Sequence, residues 1–290
     1  MKIFSPVLIP AVIAAVAWLV SWRLWNRNRL APHGHWGGAV ALALGYAAGY
    51  VTLMSWPPFP ANTAMQWLTH LALLTGVVAL AEAWWRSRTW LGWAIWTSLG
   101  GLAAWLQFGA LVDNTWSATQ STLWIGGLAL ATAGFCTVLD RLAERRDGAS
   151  MPLVLWLAVS MASASLLLTG SALLGQLAGS IAGIFGAATV LAWWAPRISL
   201  SCGAMTVFGL LYVALLAQGH LYSELPFSSA ALLYLAPFAA WLGETNLVRE
   251  MRAPRGVLVR MGLVAIPAAA GVLIAFLVWR STSGGDDYSY

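Results

Sequence analysis

Apolar residues occur in long runs rather than in alternation. Nine of these runs approach the length of a membrane span, at about 6–25, 37–55, 65–84, 90–111, 122–139, 152–170, 201–219, 228–243 and 260–279. Roughly 20 apolar residues at a 1.5 Å rise cross the hydrocarbon core of a bilayer. The stretch from Pro152 to Trp194 is 43 residues without a charge, about twice one span. It must therefore fold back, near Gly170 or nearer Gly179, and supply a further helix over 175–194. The pattern predicts an all-α polytopic integral membrane bundle of about ten helices. It forms one transmembrane domain over residues 1–290, with a short acidic tail at 281–290.

Loop charge gives an independent check on this count. With ten spans and an outside N-terminus, Arg23, Arg27, Arg29, Arg86, Arg88, Arg141, Arg145, Arg146, Arg197, Arg249, Arg252, Arg255 and Arg260 fall in cytoplasmic loops. These are 13 of the 15 basic residues, and only Lys2 and Arg280 fall outside. Positive charge resists translocation, so this asymmetry predicts both termini on the non-cytoplasmic side of a bacterial cytoplasmic membrane. Nine spans would push the Arg249–Arg260 loop outside. Lys2 precedes an apolar stretch, as in a signal peptide. The Ser21-Trp22-Arg23-Leu24-Trp25 exit, however, lacks the small residues a signal peptidase needs. The first run reads as an uncleaved span.

Composition narrows the classes. The chain is 60% hydrophobic and 9% charged, against roughly 25% charged in soluble domains. This excludes a soluble enzyme, a disordered chain and a disulfide-stapled module. The net charge of +5 would suit nucleic acid in a soluble protein. Here it orients the chain in its lipid partner, and no nucleic acid is expected. Cys136 and Cys202 read as small core residues. Most of the 19 tryptophans sit at expected span ends, where an indole places its apolar body and single N–H at the headgroup boundary.

Small residues recur every fourth position at Ala41, Gly45 and Gly49, and at Gly175, Gly179, Gly183 and Ala187. This spacing flattens a helix face so that a second backbone can approach. Packing within the chain is the expected use, and a homodimer or another membrane protein is the alternative. Two segments, Trp56–Trp84 and Leu225–Glu244, share a Pro-Phe turn followed by a helix ending in Trp and Glu. Convergence on a proline turn explains this, with parallel duplication as the alternative. In size alone ten spans resembles the drug/metabolite transporters. The inverted halves and cytoplasmic termini of that family are not found, so no residues carry over.

Catalytic and cofactor signatures are missing: there is no phosphate-binding loop, no H-E-x-x-H and no G-x-S-x-G. No cofactor or metal is expected. His33 and His35 lack further ligands, and His70 with His220 is a poor haem pair because His220 sits at a span boundary. Glu82 reads as a helix-surface partner of Arg86, four residues on. Asp140 with Glu144, and Glu244 with Arg249, read as solvated loop faces. The remaining polar residues are biased outward: Gln66, His70, Gln107, Asp113, Asn114, Gln218, His220 and Glu224. Buried amides need partners, so spans three, four and eight are expected to converge on an outer polar vestibule. The functional expectation is a permease-like protein for a small solute or lipid. The alternative is a non-catalytic subunit or scaffold of a larger membrane complex, while no constellation supports an enzyme.

The topology makes the first prediction. A reporter active only outside the cytoplasm should be silent when fused after Arg146 and active at the C-terminus. The reverse pattern would invert the orientation.

Overall fold

A computed structural model describes residues 5–27, 36–82, 89–145, 148–194, 200–201, 203–245, 248, 251 and 253–283. The expectations resting on Arg29, His33, His35, Trp84, Trp85, Arg86, Arg88, Arg146, Arg197, Cys202, Arg249, Arg252 and the last seven residues lie outside these. Among the described residues every regular element is helical. In chain order they are α1 (Ser5–Arg27), α2 (Gly37–Leu53), α3 (Ala64–Leu80), α4 (Thr89–Asn114), α5 (Ala118–Glu144), α6 (Ser150–Leu168), α7 (Ala172–Trp194), α8 (Ala204–Tyr222), α9 (Phe227–Leu235) and α10 (Ala253–Ser283). A 3₁₀ segment (Ala236–Glu244) continues α9. Among the described residues six helices are long and apolar enough to cross a membrane: α4 to α8 and most of α10. Shorter apolar helices cover Ser5–Ser21, Gly37–Leu53 and Ala64–Leu80. The protein is a membrane-embedded helical bundle.

Local chemistry sets the helix starts and turns. Thr63 with Gln66, and Ser117 with Gln120, form reciprocal capping boxes that satisfy otherwise unpaired N–H groups at the starts of α3 and α5. The charge-free stretch turns at Gly170, which adopts φ +82°, a conformation open to glycine at no steric cost. Gly179 lies inside α7.

Helix α8 is buried from Ala204 to Gly219. It is covered by α2, α3, α4, α5, α6, α7 and α9, as expected for a helix apolar on every side. Helices α1, α2 and α7 form a second close-packed group, built on the small residues seen in the sequence. A Cβ at Gly45 would sit 2.6 Å from Ile184, one at Gly49 2.8 Å from the Ser180 Cβ, and one at Gly183 2.7 Å from the Val7 carbonyl oxygen. These faces are thus occupied within the chain. Pro10 in α1 lacks an N–H, which leaves the Pro6 carbonyl four residues back without its helical donor. The Ser180 hydroxyl of α7 donates to that oxygen at 2.7 Å.

The run over 228–243, expected to form a single regular helix, changes geometry halfway. Pro237 cannot donate to the Leu233 carbonyl, and the chain tightens into the 3₁₀ segment at that point. The Tyr212 hydroxyl of α8 donates to the Leu233 oxygen at 2.9 Å. The segment pair that looked alike in sequence therefore differs in form, since α3 stays α-helical throughout.

The glycine contacts generate a paired prediction. Gly183→Ala should destabilise by about 1–3 kcal/mol, because the methyl meets backbone that cannot yield. Gly179→Ala, whose Cβ would stand 3.4 Å from the nearest atom, should leave the detergent melting midpoint nearly unchanged. Equal midpoints for the two variants would contradict the packing.

Candidate functional site

At one end of the bundle, α2, α4 and α8 finish while α3 and α7 begin. These five ends enclose a cavity of about 670 Å³. Its rim includes Met54, Asn62 and Asp113, which are exposed, and its wall reaches Gln107 and Gln218. Asp113 and Gln107 are six residues apart on α4, or about 9 Å along the axis. Leu106, Leu173 and Leu174 supply apolar wall, and Tyr50, Trp67 and Tyr222 supply aromatic wall.

Two amides lie at the centre of the site. Gln107 is 3% exposed and Gln218 1% exposed. Gln218 Nε2 donates to Gln107 Oε1 at 2.6 Å and to the Ala64 carbonyl at 3.4 Å. The Tyr222 hydroxyl donates to the Gln107 backbone carbonyl at 3.0 Å, tying α8 to α4. Gln107 Nε2 and Gln218 Oε1 are buried and have no hydrogen-bond partner. A buried amide group left unpaired costs about 1–3 kcal/mol, and Tyr46, Thr69, Thr75 and Ser165 likewise bury hydroxyls without a hydrogen-bond partner. No family model, curated protein or solved structure matches the chain. The site must therefore be read from its own chemistry.

Of the residues expected to converge, Gln66, Gln107, Asp113 and Gln218 line the cavity. Gln66 has a second task there, its Oε1 accepting the Asn62 and Thr63 N–H groups at 2.7 and 3.2 Å. His70, His220 and Glu224 stand apart from it. His70 donates through Nε2 to the Pro58 carbonyl at 3.0 Å, with its ring edge-on to Phe59. His220 donates through Nδ1 to the Leu225 carbonyl at 2.8 Å, between Trp124 and Phe227. Each histidine pins a turn that contains a Pro-Phe pair. Glu224 is exposed, in the same turn as Leu225, with φ +55°. The contributions of Tyr50 and of α7 were missed. A tyrosine at a span end reads as an interface anchor, and the α7 wall is made of leucines that carry no polar signal.

Several acidic and basic residues at the opposite end differ from expectation. Glu82 is 2% exposed rather than on a helix surface, and its Oε2 accepts the Thr206 hydroxyl at 2.7 Å. That hydroxyl in turn accepts the Trp96 indole N–H at 2.8 Å. Asp140 is buried, not solvated, because α5 continues past the apolar run to Glu144. Glu244 pairs with Arg260 at 3.6 Å, and Arg260, expected in a loop, is buried on α10 with Nη2 donating to the Gly243 carbonyl at 3.1 Å. Helices α5 and α10 outrun their apolar stretches, and neighbouring helices cover Glu82, Asp140 and Arg260, which periodicity alone assigns to water. Among the described residues no cluster of His, Cys, Asp and Glu gathers at metal-binding distance.

The amide pair predicts a non-additive cycle. Gln218→Leu alone should lower stability by about 1–3 kcal/mol, because Gln107 loses its one side-chain partner while staying buried. Adding Gln107→Leu should recover most of that loss. Detergent thermal melts of the two single variants and the double variant check it. Strictly additive losses would mean the pair is not coupled.

Proposed function

We propose that the protein is a permease-like, ten-span protein of a bacterial cytoplasmic membrane, with both termini outside and the cavity open to the non-cytoplasmic side for a small solute. The cavity itself is the observation that carries this reading. Its volume of about 670 Å³ falls within the roughly 300–1,000 Å³ of small-molecule sites. Its walls are mostly apolar with a few convergent polar groups, the usual make-up of such sites.

The ten-span count is supported by length as well as by loop charge. Nine α residues and nine 3₁₀ residues give the α9 unit a reach of about 31 Å, because the 3₁₀ rise is about 2.0 Å. That matches a hydrocarbon core about 30 Å thick. Further along α8 the interior is filled by rings. Phe135 packs against Phe208, Tyr212, Tyr234 and Phe238 with centroids 5.3–5.7 Å apart. This ring layer lies between α5, α8 and the α9 unit and borders the joint at Pro237. The cavity opens at one end of the bundle, where Met54, Asn62 and Asp113 are exposed. In the alternative, a non-catalytic subunit, a partner segment fills the same cavity.

Water access tests the reading. In a background lacking Cys136 and Cys202, Leu106→Cys should react with a membrane-impermeant maleimide added outside. Trp105→Cys, on the exposed outer face of α4, should remain unlabelled in lipid. An unreactive position 106 would remove the cavity from consideration. A stoichiometric co-purifying protein that blocks labelling would favour the subunit.

A further inference from the structure

We propose that the cavity takes an organic monocation, an ammonium head on an apolar body, with Asp113 as its counter-charge. This deepens the solute-site reading above and rests on it. Leu106, Gly109, Ala110 and Asp113 of α4 all line the cavity. Their i, i+3, i+4, i+7 spacing puts them on one helical face. The carboxylate is thus the outermost group on the face of α4 that forms the wall. Asp113 is exposed, and among the described residues it has no ion-pair partner.

Charges and helix dipoles at this end share one sign. Of the described residues that line the cavity, only Asp113 is charged. The four loops here, over 54–63, 115–117, 169–171 and 223–226, contain no lysine or arginine. Glu224 adds a second exposed carboxylate to the same end. Three helices, α2, α4 and α8, bring C-terminal ends to the cavity, against the N-terminal ends of α3 and α7. C-terminal carbonyls carry partial negative charge and favour a cation. The opposing N–H groups are partly taken already: Thr63 Oγ1 accepts from the Gln66 N–H, and Ser171 Oγ accepts from the Leu174 N–H. An anion would meet this field with no basic group to offset it, and a neutral solute would leave the carboxylate unused.

The wall selects the rest of the ligand. Leu106 and Leu173 are apolar, and the half-buried Trp67 and exposed Tyr222 bring aromatic surface. Aromatic faces attract a cation, the more so as water is removed. One carboxylate is too few for a divalent metal ion such as calcium, which takes roughly six to eight oxygen ligands. A small, strongly hydrated ion would gain nothing from the apolar wall. A volume of about 670 Å³ leaves room for a quaternary head and an attached ring.

The test compares benzyltrimethylammonium, benzyl alcohol and benzoate on the full-length protein in detergent. It reads the shift in melting midpoint and the protection of Leu106→Cys, in the background lacking Cys136 and Cys202, from maleimide. Benzyltrimethylammonium should stabilise and protect, and benzoate should do neither. Asp113→Asn should leave the midpoint without ligand unchanged, because the side chain is exposed. It should weaken benzyltrimethylammonium about fivefold, as for the stronger exposed ion pairs, and leave benzyl alcohol unaffected. That fivefold difference should shrink as salt screens the carboxylate. The order of the three ligands on the unsubstituted protein is decisive even if the variant fails to fold. Equal binding of the cation with and without Asp113→Asn, a difference that salt does not reduce, protection by benzoate, or no protection by the cation overturns the inference. If Leu106→Cys is labelled and benzyl alcohol protects it while the cation does not, the solute cavity stands and only cation recognition falls. If Leu106→Cys is never labelled, the cavity reading falls with it.

Discussion

Helix α8 faces protein on every side, and the arrangement of the other helices follows from that enclosure. Between helices in lipid there is little hydrophobic driving force, so close packing and interhelical hydrogen bonds hold them. The buried side chains of α8 supply both. Thr206 bonds Glu82 beyond the end of α3 and Trp96 of α4, Tyr212 bonds the α9 backbone, and Gln218 bonds Gln107 of α4. These contacts occur at three levels along one helix, so α3, α4 and α9 are held in register as well as in contact. A slip by one turn would strand a polar group in an apolar layer, which is costly. The cavity inherits its shape from this, since its two central amides belong to α4 and α8.

The carbonyls of Pro6 and Leu233, each four residues before a proline, show the same rule acting on the backbone. Pro10 and Pro237 each remove a helical donor, and in each case a hydroxyl from another helix supplies the missing bond. Proline is tolerated in membrane helices when neighbours satisfy the backbone it frees. Ser180 and Tyr212 are those neighbours.

Much of this was legible in the chain. The apolar runs marked where helices lie, the length of the Pro152–Trp194 stretch demanded a reversal, and the spacing of Gly45, Gly49 and Gly183 marked a close-packed face. Placing Gln66, Gln107, Asp113 and Gln218 near one end was also within reach, because amides and acids stand out against leucine. Glu82, Asp140 and Arg260 were misjudged because span-end polarity looks the same whether water or a neighbouring helix covers it. The 3₁₀ segment was missed because Pro237 signals a broken bond and not how the chain repairs it. His70 and His220 drew notice for their chemistry, whereas their hydrogen bonds hold two turns in shape.

The reversal at Gly170 also bears on how the chain is built during synthesis. Between α6 and α7 only Thr169, Gly170 and Ser171 lie outside a helix, and none of them is charged. Ser163 already reaches across to the Gly175 carbonyl at 2.7 Å, so the two helices are joined near their tip before any other partner is needed. A hairpin with so small and neutral a tip carries no charged side chain at the reversal to oppose its insertion. The glycine face of α7 against which the earlier-made α1 and α2 pack is thus set by its own hairpin.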